Sequence, residues 1–318
     1  LRPFCLYSFP ATPRADATFP LRPGDASSIV RPIPPLPPQT IQPSARMTDT
    51  ANPPAPRSGA RAGSWRLFTH VVAKDFTDRY AGSVFGWGWA FAQPLAMILI
   101  FTVIFAGLMG ERLGASGVRY GYGVYLVAGL IPWTIFAATL NRLTSVFTDK
   151  RTLIAKLPLN LLFFPATVVA VETINFLIMI GIFVLILTLL GMPPGWSLLW
   201  LAPLFLIQQA AALAVGAVLG VCHVFFRDMR ELVGVAVQFL FWLTPIVYVV
   251  TILPPFAQTV QNFNPLHGLM TGYRAALLDD AAPGVSFMIL SAAGACACGL
   301  FAWLILRRAE KPLRDLLA

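Results

Sequence analysis

The chain has 318 residues, a formal net charge of +9 and a mean hydropathy of +0.71, yet only 12% of its residues are charged. A soluble domain of this length carries about a quarter charged residues, so a single soluble globular fold is excluded. The basic excess sits in short islands at the ends of long apolar runs, which orients a membrane protein, and no basic face with interleaved aromatics marks a nucleic-acid-binding domain.

Residues 1–62 are rich in Pro, Ala, Ser and Arg, with runs such as Pro34-Pro35-Leu36-Pro37-Pro38. Such a segment cannot bury a core and is expected to be disordered or extended. The first methionine is Met47, which suggests that residues 1–46 come from a start site placed too far upstream. Residues 63–83 hold an amphipathic helix, expected over 64–81. Trp65, Phe68, Val72, Phe76 and Tyr80 recur every three or four residues, with Arg66, His70, Lys74, Asp78 and Arg79 away from that stripe. Ser64 is the expected N-cap and Gly82 the stop. A basic helix with aromatics on its apolar face suits the membrane interface.

Apolar runs follow at about 84–109, 120–141, 166–190, 198–222, 232–252 and 286–306, each reaching the roughly 20 residues that cross a hydrocarbon core. Pro245 predicts a kink in the fifth. The region 253–285 mixes apolar residues with Asn, His, Tyr and Arg, which reads as a half-inserted segment or an amphipathic surface helix. Assigning alternate loops to opposite sides puts fifteen lysines and arginines on one side against three on the other. That places both termini in the cytoplasm and requires an even number of spans. The expected fold is therefore an all-α polytopic membrane protein. It has six transmembrane helices within a domain at 84–310, an N-terminal interfacial helix, a re-entrant segment between helices five and six, and a cytoplasmic tail at 311–318.

Few residues suggest chemistry. His70, His223 and His267 lie far apart, no Gly-x4-Gly-Lys-Ser/Thr phosphate loop is present, and no paired carboxylates stand in a span. Cys222, Cys296 and Cys298 fall in apolar runs and Cys5 in the tail, which reads as small buried residues rather than a metal site or disulfide framework. Glu172 is the one acid well inside a span: a functional candidate, or a carboxylate reaching the interface or a buried polar partner. Asn141, Asn175, Gln208, Gln209 and Gln238 suit interhelical hydrogen bonds, and Ala212, Gly216 and Gly220 form a row for close helix packing. Phe85, Trp87, Trp89 and Phe91 crowd the start of span one, and Trp133 stands in span two. They read either as an interfacial belt or as sugar-stacking faces along a glycan channel. Two mixed-charge cytoplasmic segments suit a soluble partner. One is Thr148 to Pro158, a short helix capped by Thr148 or Asp149; the other is Phe225 to Glu231.

In this order the features resemble the membrane subunit of ABC-2 type exporters, in the branch that exports polysaccharides such as O-antigen, capsule or teichoic acid. The resemblance covers roughly 64–310. It rests on Asp78-Arg79-Tyr80-Ala81-Gly82-Ser83-Val84-Phe85-Gly86 leading to Trp89 and Gln93-Pro94, and on Ala128-Gly129-Leu130-Ile131-Pro132-Trp133. It rests further on Phe226-Arg227-Asp228 followed by Thr244-Pro245-Ile246, and on Asn264-Pro265 with Tyr273-Arg274. It implies a homodimer in the bacterial inner membrane, joined by two copies of a separate ABC ATPase that binds the ATP and magnesium, and a lipid-linked glycan as cargo. By the same resemblance Trp65, Phe68, Lys74, Asp78, Arg79 and Tyr80 belong to a gate helix, and Asp149, Lys150, Arg151, Lys156 and Leu157 to the ATPase-docking segment. The family often has Phe-Pro in that segment, where this chain has Leu157-Pro158 and a later Phe164-Pro165. The chain is expected to be a non-catalytic subunit without a cofactor of its own. Rival classes are an ABC-2 exporter of drugs or small lipophiles, a membrane-embedded glycosyltransferase or acyltransferase, and an ion-coupled transporter. The enzyme needs an acidic or histidine site, and the ion-coupled transporter needs more intramembrane carboxylates than Glu172.

Overall fold

A computed structural model describes residues 60–79, 81–113, 121–156, 159–250, 253–262 and 264–317. The chain divides into two units, Leu1–Ala55 and Pro56–Ala318, and the described residues all belong to the second. The expectations for residues 1–59, and for Tyr80 and Leu157, fall outside them; so does the Trp87 side chain.

Among the described residues ten α-helices follow one another: α1 (Ala60–Asp78), α2 (Trp89–Leu113), α3 (Tyr122–Asp149), α4 (Arg151–Lys156), α5 (Phe163–Leu189), α6 (Leu201–Phe225), α7 (Met229–Leu243), α8 (Pro255–Asn262), α9 (Pro265–Leu278) and α10 (Val285–Leu317). No strand occurs among the described residues. Among them, four helical stretches are long and apolar enough to cross a membrane: Tyr122–Asp149, Phe163–Leu189, Trp196–Phe225 and Val285–Glu310. In hydrocarbon every backbone polar group must be met internally, which is why apolar runs of this length fold as helices.

α3 is the hub, packed against α2, α5, α6, α7 and α9. It meets α6 closely because α6 offers glycines. A methyl at Gly216 would stand 2.5 Å from the Leu143 Cβ, and one at Gly220 would stand 2.7 Å from the Leu143 carbonyl oxygen. The small-residue row thus works as read, letting two backbones approach where lipid supplies no hydrophobic drive. α10 leans on α6 and α4 and leaves Leu290, Leu300 and Phe301 on the outside. Cys296 and Cys298 are exposed and Cys222 is half-buried, so these are not the enclosed cysteines expected.

Three local expectations change. α1 begins at Ala60, so Ser64 is an internal residue rather than its cap; Ala60, Arg61 and Ala62 are good helix formers and extend the first turns. α4 does not start on a Thr148 or Asp149 cap. The Thr148 hydroxyl donates to the Ser145 carbonyl at 2.8 Å and the Asp149 carboxylate accepts from the Ser145 hydroxyl at 2.6 Å, both turned back into α3. The fifth apolar run is not one kinked span: α7 stops at Leu243, after 15 residues. Thr244 is extended, at φ −88° and ψ 133°, because a residue before proline is driven out of the helical region and Pro245 has no N–H to continue the ladder.

Candidate functional site

α1 is tied to the bundle at both ends. Near its start Trp65 stacks on Phe68, and Phe68 meets Phe163 of α5 edge-on at 5.7 Å. Near its end Arg79 reaches Glu172, further along α5. At ~1.5 Å per residue these two contacts lie a similar distance apart on both helices, so α1 runs alongside α5 in the same direction. Its apolar stripe is partly covered by protein, with Val72 buried, while Lys74 and Asp78 stay exposed.

Between α1, α3 and α5 lies a row of alternating charges: Lys150, Asp75, Arg142, Glu172 and Arg79. Lys150 and Arg142 both pair with Asp75. Arg142 Nη1 stands 2.7 Å and Arg79 Nη2 2.6 Å from Glu172 Oε1, and Asn175 Nδ2 donates to Glu172 Oε2 at 2.9 Å. Glu172 is 1% exposed, and the buried polar partner expected for it is Asn175, joined by two part-exposed arginines. Burial pushes the Asp75 carboxyl up, but Lys150 and Arg142 outweigh that and hold it below its usual range. Arg79, Glu172 and Asn175 also edge a cavity of 310 Å³ with Gln93, Thr134 and Met97. Sequence reasoning passed over Asp75, counted Arg142 only among the orientation charges, and gave Lys150 to the expected docking segment. The spacing of Asp75 and Arg79 marks one helix face, but nothing local ties them to Glu172.

The segment expected to dock a soluble partner follows this row. Lys150 ends α3, and its carbonyl accepts from the N–H groups of Leu153 and Ile154, at 3.0 Å each, to start α4. Ile154 is buried with Phe147, Leu161, Phe164 and Leu313, whereas Asp149, Arg151 and Lys156 are exposed. Arg227 and Asp228 stand exposed in the turn between α6 and α7.

A second polar cluster meets the break after α7, where carbonyls lose their helical donors. Tyr248 Oη donates to the Trp242 and Leu243 carbonyls at 3.1 and 3.2 Å, and Gln261 Nε2 donates to Leu243 at 2.6 Å. Arg274 donates to the Pro245 and Ile246 carbonyls at 3.0 and 2.7 Å, and Tyr122 to that of Val247. Arg274 is 5% exposed, with its guanidinium 3.8 Å above the Tyr125 ring. Gly129 leaves room for it, since a methyl there would lie 2.6 Å from Nη2. Asn264 caps α9 by accepting from the Leu266 N–H at 3.0 Å, and Pro265 takes the first helical position, where no N–H is needed. Tyr273 is fully buried and meets Phe176 edge-on.

The aromatics divide. Phe85 and Trp89 are exposed and touch edge-on at 5.7 Å, and Phe91, two residues on in α2, is exposed as well. Trp133 is 5% exposed and packs on Phe136 and Phe241, so it does not share their surface. Of the amides, Gln208 bonds across to the Pro132 carbonyl at 2.9 Å, while Asn141 and Asn175 bond within their own helices.

Residues 66–278 match the family model described as ABC-2 type transporter. The chain is 28% identical over 214 residues to an O-antigen export system permease protein RfbA of Klebsiella pneumoniae, covering 67% of this chain and 80% of the relative. It is 26% identical over 229 residues to an O-antigen export system permease protein RfbA of Myxococcus xanthus, covering 71% and 86%.

Proposed function

The chain belongs to the ABC-2 type transporter family, whose membrane permeases are non-catalytic subunits, and on that premise we propose that it carries lipid-linked polysaccharide, O-antigen in the first place, across the bacterial inner membrane. The supporting observation is the likeness to two export permeases over four fifths or more of their length, both named for O-antigen. In this reading two copies form the translocation path, and two copies of a separate ATPase bind ATP and magnesium and drive it. α2, α3, α5, α6 and α10, and α7 together with the non-helical stretch after it, are the six membrane-crossing elements of the 84–310 domain, with α8 and α9 re-entering from the far side and both termini cytoplasmic. α4, with the flanking Asp149 and Lys150, meets the ATPase; α1 forms the gate at the cytoplasmic mouth. The exposed rings of Phe85, Trp89 and Phe91 supply flat apolar faces on which sugar C–H surfaces stack. The test is purification of the tagged full chain in mild detergent from a host with its native genomic neighbourhood. A stoichiometric soluble ATPase, stimulated by a lipid-linked glycan extract of that host, is the expected result. A permease that purifies alone overturns the reading.

A further inference from the structure

Lys150 does two things at once. Its backbone carbonyl opens α4, and its ammonium group pairs with Asp75 of α1. Asp75 in turn holds Arg142 of α3, and the row continues through Glu172 to Arg79, just past the end of α1. α1 is thereby gripped at two points by one chain of charges, and one of those points is the joint from which α4 springs. The apolar contacts repeat the arrangement: Ile154 of α4 sits with Phe164 at the start of α5, and Phe68 of α1 rests on the adjacent Phe163. A displacement of α4 therefore pulls on α1 through Lys150 and Asp75 unless that pair breaks. With Asp75 half-buried, the pair is screened less than a surface ion pair.

We propose that Asp75 is a positioning residue that makes α1 and the α4 segment move as one body, so that a partner pressing on α4 shifts the helix at the mouth of the path. This rests on the reading of α4 as the ATPase-docking segment. Coupling passes here through a contiguous set of ion pairs, and removing one link changes such coupling by roughly 2- to 30-fold.

The experiment uses the full chain in its ATPase complex, comparing wild type with Asp75→Asn, Asp75→Glu, Lys150→Met and the Asp75→Asn/Lys150→Met double variant. Three quantities are read: ATPase retained on purification, stimulation of its activity by the lipid-linked glycan extract, and the distance between spin labels at Thr69→Cys on α1 and Thr152→Cys on α4, with the native cysteines replaced. Asp75→Asn should keep the ATPase, lose stimulation and broaden the distance distribution, and Lys150→Met should broaden that distribution in the same way. Asp75→Glu should behave as wild type, and the double variant should be no worse than either single one, because both remove the same contact. Wild-type stimulation with an unchanged distance in Asp75→Asn overturns the inference and leaves the exporter reading standing; should that variant not purify, the same result in Lys150→Met does so. Absence of an ATPase from the wild-type preparation overturns both.

Discussion

Glu172 keeps two arginines in place from a position closed to water. A buried ion pair is weak evidence of stability, because desolvation offsets the attraction, and losing Glu172 leaves arginines that are 27% and 32% exposed, so the cost falls below the roughly 3–5 kcal/mol of a fully buried uncompensated charge. Glu172→Gln should therefore lower the thermal midpoint of the purified protein more than the same change at an exposed acid such as Asp228, and Arg142→Met combined with it should be less than additive. Asp75 gives the row a pH signature. Its folded-state pKa lies below its ordinary value of 3.8. The stability it contributes is thus present above the unfolded pKa and lost as pH falls through the folded one. The difference in thermal midpoint between wild type and Asp75→Asn should be flat from about pH 5 to 8 and close on acidification below about pH 4.

At the scale of elements, what could be read in the sequence was whatever is local. The apolar runs set the long helices, the Gly216 and Gly220 spacing announced the close α3–α6 approach, and Pro245 announced a disturbance in the fifth run. Pro245 did not announce that the helix would stop, since 232–252 is largely apolar and its local donor, Tyr248, reaches only the Trp242 and Leu243 carbonyls. The other donors arrive from Tyr122, Gln261 and Arg274, up to 125 residues away for Tyr122. The charge row escaped for the same reason: Asp75, Arg142 and Glu172 meet only because three helices pack together. The break after α7 gives its own test. Arg274→Gln cannot serve the Pro245 and Ile246 carbonyls and the Tyr125 hydroxyl together, and each buried acceptor left bare costs about 1–3 kcal/mol. The variant should lose folded yield and show faster amide exchange at 246–248, with Arg274→Lys intermediate because an ammonium lacks the planar fork.

Over the whole molecule, the outer surface is too apolar for water. Phe239 and Trp242 of α7, Leu290 and Phe301 of α10, and Phe85 and Trp89 at the head of α2 all stand exposed, and patches of this size mark contact with lipid or another chain. The aromatics seen in the sequence thus separate into two kinds that a substitution series can tell apart. Trp133 fills space among Phe136 and Phe241, so Trp133→Ala should cost about 3–5 kcal/mol through the cavity it opens and show as reduced folded protein. Trp89 is 49% exposed and encloses little, so Trp89→Ala should leave yield and thermal midpoint close to wild type. If its ring guides a sugar chain, the same substitution should still cut glycan export per folded complex, and Phe85→Ala should do likewise because the two rings form one edge-on pair. Export normalised to folded protein is the deciding quantity: a loss at Trp89 and Phe85 places the glycan on that surface, whereas full export in both variants assigns the rings to the lipid interface alone.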